Sequence, residues 1–398
     1  MAGEGRPGTR VVRAGRSLPG GAGDSLTTPL VQSAAFAYGS AAEQDAVFAG
    51  ERPGYVYGRY GTPTTAALEE ALAALEGLPR ASCFVSGMSA IHALASEALF
   101  GRRLALVAQE DLYGQTRALF ERFAREENAR VTFVDVTDHG AADRTLAAVG
   151  GPAVLFVEAI ANPLLRVTDL AALASLAHAR GGLLAVDATF ATPIIVRPAE
   201  HGADLVIHSL TKYLNGHGDV MGGVVAGPED WAASLTDRKI LDGAYLPPHD
   251  AWLVLRGLRT LDVRMTRHCD NALAVARHLA EHPAVLRVHH PGLETHPQHA
   301  LAARQFAGRF GAIVSFVLRD GTRDGAFRFL DALGLALHAT TLGDVYTEVL
   351  YPPTSSHRRM PADERGRLGI TDGFIRLSVG IEDPADIIAD LDAALERV

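Results

Sequence analysis

The sequence predicts an α/β fold with a large, mainly parallel sheet and a smaller C-terminal α/β domain. Short apolar runs recur between residues 81 and 226, and helical patterns separate most of them. Runs that are apolar throughout are typical of strands buried on both faces, and the helices between them are typical of parallel connections. Beyond Pro248 the pattern changes to a long helical segment followed by alternating strands and helices, which indicates the second domain.

The spacing of hydrophobic residues, together with residues that typically end helices, predicts the individual helices and strands. Leu68, Leu72 and Leu75 recur at helical spacing and Gly77 follows them, so we expect a helix over residues 64–76. Further strands are predicted at residues 81–84, 104–108, 131–136, 154–158, 183–187, 205–208 and 223–226, with helices at 89–100 and 170–179 among them. In the second domain we expect a helix at 250–282, strands at 313–318, 335–341 and 374–379, and helices at 323–333 and 384–397.

Composition and charge exclude several classes of function. The chain has 398 residues, of which 48% are hydrophobic and 21% charged, and its formal net charge is -9. This balance argues against binding to nucleic acids or anionic membranes, which requires clustered positive charge. The sequence has no apolar stretch near the ~20 residues that span a bilayer. We therefore expect a small-molecule substrate, with no nucleic-acid or membrane partner.

The cysteines and the N-terminus indicate a cytoplasmic protein. Cys83 and Cys269 are too few for a disulfide framework and lack the spacing of metal ligands. Residues 1–23 are rich in Gly, Arg and Pro and contain no apolar segment of the kind that directs secretion. We therefore expect core cysteines, no metal, and a flexible N-terminal tail.

Lysine is almost absent from this chain. Lys212 and Lys239 are the only two, although Lys and Arg together number 37. Lys212 is the better candidate for a nucleophilic amine, because it follows the apolar run 203–207 in a polar loop where it can be desolvated and held. A lysine kept in such a lysine-poor chain is expected to be chemically required.

Polar residues follow the predicted strands where each strand ends, and ligands of open α/β sheets bind at these carboxyl ends. Pyridoxal 5′-phosphate (PLP) needs a lysine, a carboxylate, a phosphate cradle and usually an aromatic face. Asp187 could pair with the pyridinium, although a helix N-cap or a loop salt bridge is an equally good interpretation of that residue alone. The segment 86–90 could bind phosphate at a helix N-terminus, but strand-to-helix turns containing glycine are common. Ser209 and Thr211 could complete the cradle or simply cap their loop.

Several segments together resemble a known family. They are YVYGRYGTPT (55–64), SGMSA (86–90), LYGQT (112–116), EAIANP (158–163), VDAT (186–189), SLTKY (209–213) with GHGD (216–219), and IRLSVG (375–380). The chain resembles, from about Thr9 to its C-terminus, the γ-subfamily of PLP enzymes of cysteine and methionine metabolism. That family includes cystathionine γ-synthase, cystathionine γ-lyase, methionine γ-lyase and O-acylhomoserine sulfhydrylase. The resemblance implies the fold-type I PLP-dependent transferase architecture.

The resemblance also implies roles for individual residues. Lys212 would form the Schiff base with PLP, Asp187 would pair with its pyridinium, and Tyr113 would stack on its ring and act as general acid. That role requires nearby cations to lower the phenol pKa; the alternative is a buried tyrosine with a satisfied hydroxyl. The phosphate would be held by Gly87, Met88, Ser209 and Thr211.

The resemblance extends to substrate binding and assembly. Arg376, with Asn162 and Thr341, would hold the α-carboxylate of the substrate, for which a planar guanidinium gives bidentate geometry. Tyr57 and Arg59 would reach the phosphate of the neighbouring subunit, which implies a homotetramer of two dimers with shared active sites. The expected division is an N-terminal arm at residues 1–60, a PLP-binding domain at 61–250 and a C-terminal domain at 251–398.

Departures from the family pattern bear on the substrate. Uncharged Thr340 stands where cystathionine-acting members carry a glutamate, which disfavours cystathionine. Methionine γ-lyases carry a cysteine at the position of Gln115 and a Lys-Asp pair where this chain has Lys239 and Ile240, so Lys239 could bind substrate at the entrance or be a solvated loop charge. The Gly-Asp pattern in 342–352 is associated with methionine γ-lyases and O-acylhomoserine sulfhydrylases. We expect γ-elimination of methionine-like amino acids, with γ-replacement or cystathionine γ-lyase activity as alternatives.

Three interpretations from other classes are weaker. Ser209 and Lys212 match the S-x-x-K motif of acyl-enzyme serine hydrolases, but the accompanying downstream motifs are absent. A metal site at His289, His290, His296 and His299 lacks a helical His-x-x-x-His pair, so a connecting loop is favoured. An inactive scaffold is disfavoured by the presence of Lys212, Asp187, Tyr113 and Arg376.

Overall fold

A seven-stranded sheet lies at the centre of the larger part of the chain. The computed structural model describes residues 6–15, 26–358 and 360–398. The strands are β1 (Arg80–Phe84), β2 (Ala105–Gln109), β3 (Val131–Val134), β4 (Ala153–Glu158), β5 (Leu183–Asp187), β6 (Leu205–Ser209) and β7 (Gly223–Gly227). Their spatial order is β1-β7-β6-β5-β4-β2-β3. Only β7 runs antiparallel to its neighbours, so the predicted mainly parallel sheet is confirmed.

The helices of this part of the chain are α1 (Pro7–Arg13), α2 (Ala41–Phe48), α3 (Pro63–Glu76), α4 (Gly87–Ser96), α5 (Gly114–Glu126), α6 (His139–Ala148), α7 (Leu170–His178), α8 (Thr192–Ile195) and α9 (Glu229–Asp242). Those that contact strands of the sheet include α3, α4, α5, α6, α7 and α9. The predicted helix at 64–76 is confirmed as α3. A reciprocal capping box between Thr62 and Thr65 begins it, and Gly77, with φ 74°, ends it in the left-handed conformation that favours glycine.

A five-stranded sheet forms the second unit. Its strands are β8 (Val285–His289), β9 (Ile313–Leu318), β10 (Leu337–His338), β11 (Glu348–Leu350) and β12 (Phe374–Ser378), in the order β10-β11-β12-β9-β8. Its helices are α10 (Pro248–Leu258), α11 (Leu261–Glu281), α12 (His299–Gln305), α13 (Arg323–Ala332), α14 (Ala362–Leu368) and α15 (Pro384–Leu395). One hydrophobic cluster runs from Leu68 through Val206 to Phe316, and thus joins the two sheets. The division at residues 60/61 and 250/251 stays a prediction.

Two predicted elements of the second domain differ from the structure. The helix expected at 250–282 is two helices, because Arg264 holds a break between them by donating to the Gly257 carbonyl and the Thr260 hydroxyl. The strand expected at 335–341 is only β10. Beyond β10 the chain leaves the sheet, and the Thr341 carbonyl accepts a hydrogen bond from Arg376 instead.

The N-terminal prediction is wrong in part. Residues 7–13 form α1, which packs against α3 and α11, and Val11 and Ala14 are buried. The Gly, Pro and Arg content of this segment concealed one short apolar face. The rest of the predicted tail, residues 1–5 and 16–23, lies outside the described residues. Within the part of the chain described, no helix is long and apolar enough to cross a bilayer.

Candidate active site

A cavity of about 510 Å³ opens at the carboxyl ends of β4, β5 and β6 and is closed on one side by the small sheet. Parallel strands bring their carboxyl ends to one edge, so residues distant in sequence meet there. The cavity is lined by these residues of the predicted site: Gly87, Met88, Tyr113, Asn162, Asp187, Ser209, Thr211, Lys212 and Arg376. Thr341 adjoins it through a hydrogen bond from the amine of Lys212.

The N-terminus of α4 forms one wall. The Ser86 hydroxyl caps this helix by accepting from the Ser89 N–H at 3.1 Å, and the first-turn N–H groups of a helix attract anions. A Cβ on Gly87 would lie only 3.0 Å from the Cβ of Ser209, so a larger residue would fill the space between helix and loop. Thr211 lies on the same side, where its hydroxyl accepts from the Gly222 N–H. This wall suits a phosphate group.

Asp187 ends β5 at the base of the cavity. Its carboxylate accepts a 3.0 Å hydrogen bond from the Thr189 N–H. Desolvation raises the pKa of Asp187, while hydrogen bonds from Thr189 and the charge of His208 act in the opposite direction. It has no ion-pair partner among the described residues, and it does not cap the following helix α8, whose N-cap is Ala191. A desolvated carboxylate in this position suits a cationic ligand.

Lys212 projects into the cavity from the loop after β6. Its Nζ donates to the Thr341 hydroxyl at 2.7 Å. Burial lowers the pKa of Lys212 to about 8, the positive charge of Arg376 adds to this effect, and Glu348 opposes it. A substantial fraction of this amine is therefore neutral in mildly alkaline solution and can act as a nucleophile or a base.

Arg376 reaches the cavity from β12 of the small sheet. The residue is only 3% exposed. Its guanidinium donates to Asn162 Oδ1 at 3.3 Å and to the Thr341 carbonyl at 2.9 Å, while Nε has no partner among the described residues. A buried guanidinium on a residue that lines the cavity is suited to a carboxylate ligand.

Glu158 positions two residues of the site and was missed as a functional residue. Its carboxylate accepts from the Tyr113 N–H at 2.7 Å and from the Asn162 N–H at 2.9 Å. The sequence did contain a signal for its functional role: Glu158 ends the apolar run of β4, just as Asp187 ends the apolar run of β5. Burial raises the pKa of Tyr113 and outweighs the lowering by the positive charge of Arg376, so the expected net decrease of this pKa is wrong. The role of Tyr113 as general acid stays a prediction.

Replacing Glu158 with glutamine is expected to reduce the free energy of unfolding by about 1–3 kcal/mol, because an amide offers one acceptor where two backbone N–H groups need partners. Urea denaturation of the cofactor-free chain measures this change. The matched control is Glu229→Gln, which removes an exposed ion pair with Arg80 and should change stability by less than about 1 kcal/mol. Equal losses in the two variants would contradict the positioning role of Glu158.

The comparisons with known proteins agree on one family. The model of the family described as "Cys/Met metabolism PLP-dependent enzyme" matches residues 8–396. The chain belongs to this family. It is 43% identical to O-succinylhomoserine sulfhydrylase of Pseudomonas aeruginosa over 96% of this chain and 93% of that one. It is 40% identical to L-methionine gamma-lyase of Fusobacterium nucleatum subsp. polymorphum, over 98% of each chain. Cystathionine gamma synthase of Xanthomonas oryzae pv. oryzae superposes with a TM-score of 0.91 at 38% identity, covering 99% of this chain and 98% of that one.

Membership in the Cys/Met metabolism family makes PLP the cofactor and the fold that of the fold-type I PLP enzymes, and the residues present fit this cofactor. Asp187 would pair with the pyridinium and Lys212 would bond the aldehyde. The N-terminus of α4 with Ser209 and Thr211 would hold the phosphate. The fit rests on a carboxylate without an ion-pair partner, a desolvated amine and a glycine-lined wall in one cavity.

Some predicted residues do not line this cavity, or have contacts other than those that the sequence led us to expect. Tyr57 is 45% exposed and Arg59 donates to the Ile240 carbonyl at 2.6 Å, so their role in a neighbouring subunit stays a prediction. Lys239 is neither a loop residue nor solvated: it lies on α9, is 6% exposed and pairs with Glu69 at 2.8 Å. Of the residues expected to influence selectivity, Gln115 and Thr340 line the cavity, whereas Ile240 is not among its lining residues.

The histidine segment belongs to the core and turns of the second unit. His290 and His296 each accept the N–H two residues further on, and burial lowers the pKa of both to about 4. His299 contacts the Pro291 carbonyl. These contacts account for the histidines as structural residues of a turn.

Proposed function

We propose that this enzyme catalyses γ-elimination of L-methionine or a related sulfur amino acid, yielding 2-oxobutyrate, ammonia and a thiol. The observation that supports it is the composition of the cavity beyond the groups assigned to PLP and the α-carboxylate: the one other charged lining residue among the described residues is Glu158, whose carboxylate is already occupied by the N–H groups of Tyr113 and Asn162. A charged distal group on the substrate would lose water there without gaining a partner, whereas a methylthio group would not. The lining residues in this part are Gln115, Met221, Thr340, Leu342, Leu350, Ser355 and Ser356.

Each side chain has a defined task in this proposal. Arg376 and Asn162 hold the α-carboxylate. Lys212 removes the proton from Cα and then moves a proton at Cβ, and Tyr113 gives its proton to the departing sulfur. PLP, when bound, supplies the electron sink for the negative charge that develops at Cα. Thr341, which accepts a hydrogen bond from Lys212, keeps the amine directed into the cavity.

The second candidate is γ-replacement on an O-acylhomoserine. It is favoured by the 43% identity to the sulfhydrylase of Pseudomonas aeruginosa and by the same composition of the cavity, which accepts an acetyl ester as readily as a methylthio group. Cystathionine γ-synthase and cystathionine γ-lyase activities are less favoured, because the distal ammonium and carboxylate groups of cystathionine would lack partners among the lining residues of this chain.

We expect the purified enzyme to release 2-oxobutyrate from L-methionine faster than it forms homocysteine from O-acetyl-L-homoserine and sulfide. The two products are measured separately in parallel assays. O-succinyl-L-homoserine is the matched comparison, since it adds one carboxylate to the same ester and should react more slowly than the acetyl ester. Homocysteine formed mainly from an acylated substrate would overturn the lyase proposal and establish the replacement activity.

We also propose a homotetramer of two dimers in the cytoplasm. The exposed aromatic rings of Tyr57 and Tyr60, with Arg59 against both rings, provide an apolar surface suited to a second copy of the chain. Cys83 and Cys269 are free and buried, which supports a reducing compartment.

A further inference from the structure

Gln109, the last residue of β2, has a buried side chain that the proposed chemistry does not use. The residue is 1% exposed, and burying a carboxamide is unfavourable unless its hydrogen bonds are made. Its Nε2 donates to Asp111 Oδ1 at 2.7 Å, and its Oε1 accepts from the Glu158 N–H at 2.9 Å. A carboxylate needs a donor and an N–H needs an acceptor, so only one orientation of the amide satisfies both partners.

The contact between Gln109 and Glu158 lies where two strands of the large sheet separate. The strands β2 and β4 are paired as far as Ala108 opposite Phe156. Gln109 then extends the connection with its side chain, because its Oε1 takes the N–H of the last residue of β4. A side chain therefore fixes the end of β4 relative to β2, at the edge of the sheet where the cavity opens.

The partners of Gln109 close a ring of contacts behind two residues of the site. The Glu158 carboxylate accepts from the N–H groups of Tyr113 and Asn162. The ring runs from Gln109 to Asp111 and along the chain to Tyr113, and it returns through Glu158. Asp111 and Glu158 are 6% and 5% exposed. In a closed, buried ring of hydrogen bonds each contact restricts the geometry of the others.

We propose that Gln109 is a positioning residue that fixes Tyr113 and Asn162 in the cavity through the Glu158 carboxylate. These two residues are expected to stack on PLP and to hold the α-carboxylate beside Arg376. Without the amide of Gln109, the Glu158 N–H loses its partner and the end of β4 relaxes. Misplacing site residues by about an ångström reduces turnover by about a hundredfold. The proposal rests on the assignment of this cavity to PLP and an amino-acid substrate, and it holds for elimination and for replacement alike.

Gln109→Leu in the PLP-loaded enzyme tests this role, because leucine keeps a similar volume and removes both hydrogen bonds. We expect kcat per bound PLP to fall about 10–100-fold and KM to rise. The visible circular dichroism of PLP should also change, since it depends on the side chains around the cofactor. Kinetics are measured with L-methionine and with O-acetyl-L-homoserine plus sulfide, and the substrate that the wild type converts faster is used. The visible signal needs no substrate, so it tests the proposal even if the lyase activity is absent.

Asn271→Leu is the matched control for a purely structural effect. Asn271 is also 1% exposed, and its amide donates to the carbonyls of Gly380 and Glu382. None of these three belongs to the described lining of the cavity. The control should lose a similar free energy of unfolding in urea and yet keep the wild-type KM and visible signal. If Gln109→Leu also lost only stability, with KM and visible signal unchanged, its role would be structural and the proposal would be overturned.

An exchange of donor and acceptor gives a second test, which stands even if the leucine variant fails to fold. Gln109→Glu keeps an acceptor for the Glu158 N–H but places a carboxylate against Asp111, so KM and the visible signal should be impaired. Adding Asp111→Asn returns a donor to this contact and should restore most of both, with loss only of a partly exposed ion pair to Arg166. The two effects should therefore be non-additive. A double variant no better than Gln109→Glu alone would contradict the proposal.

Discussion

Lys212→Ala should reduce turnover by at least about a thousandfold, since it removes the amine that acts as both nucleophile and base. Among the described residues that line the cavity, Lys212 is the sole lysine. The chain's second lysine is engaged with Glu69 and cannot replace it. The fold should persist, because the lost amine donates to the Thr341 hydroxyl and projects into a cavity rather than into the packed core. Product formation from methionine and from O-acetylhomoserine measures the loss, and circular dichroism checks the fold.

The matched control for Lys212→Ala is Lys239→Arg. Arginine keeps the positive charge beside Glu69, so this variant should retain most of the wild-type turnover. If Lys212→Ala formed 2-oxobutyrate at the wild-type rate, the assignment of Lys212 and the proposed function would both fail.

Asp187→Asn is expected to lower turnover by at least about a hundredfold and yet to stabilise the cofactor-free chain. Turnover falls because a neutral amide cannot favour the protonated pyridine ring, on which the electron sink of PLP depends. Stability rises because the wild-type carboxylate is desolvated and has no ion-pair partner among the described residues, as the raised pKa of Asp187 indicates.

The stabilisation by Asp187→Asn should depend on pH. A pKa raised in the folded chain means that ionised Asp187 opposes folding above that pKa, whereas the protonated group below its unfolded pKa of about 4 does not. The gain measured by urea denaturation should therefore be full near neutral pH and shrink toward pH 4. With PLP bound the order of stability should reverse, and an asparagine variant less stable than wild type in the cofactor-free form would contradict this account.

Local patterns were sufficient to predict much of the large sheet. The strands β2, β4, β5 and β6 are short apolar runs buried on both faces, and such runs have a direct sequence signature. The strands β8 and β11 lack this sequence signature. Arg287 and His289 interrupt the apolar pattern of β8, and β11 is only three residues long and begins with Glu348. Their existence depends on pairing with β9 and β12, which is a tertiary effect.

The candidate site likewise contains some residues whose place the sequence predicts and others whose place depends on tertiary contacts. Lys212, Asp187 and Tyr113 each follow a strand, so topology alone predicts that they meet. Arg376 comes from the other sheet: its position in the otherwise apolar run 374–379 indicated an anion-binding role, and the family resemblance identified the anion as the α-carboxylate of the substrate. Glu158 contacts Tyr113, 45 positions away in the chain, and Lys239 contacts Glu69, 170 positions away, and no local pattern encodes such partners.

The hydrogen bond between Arg376 and Asn162 has a consequence for recombination among relatives. Arg376 lies on β12 of the small sheet and Asn162 lies in the loop after β4 of the large sheet. A chimera that takes the two sheets from different parents therefore also takes the two side chains of one carboxylate site from different parents. Each parental core could fold well and the chimera still misplace these two side chains by an ångström. Libraries that exchange segments near Pro248 should therefore inherit residues 162, 341 and 376 from a single parent.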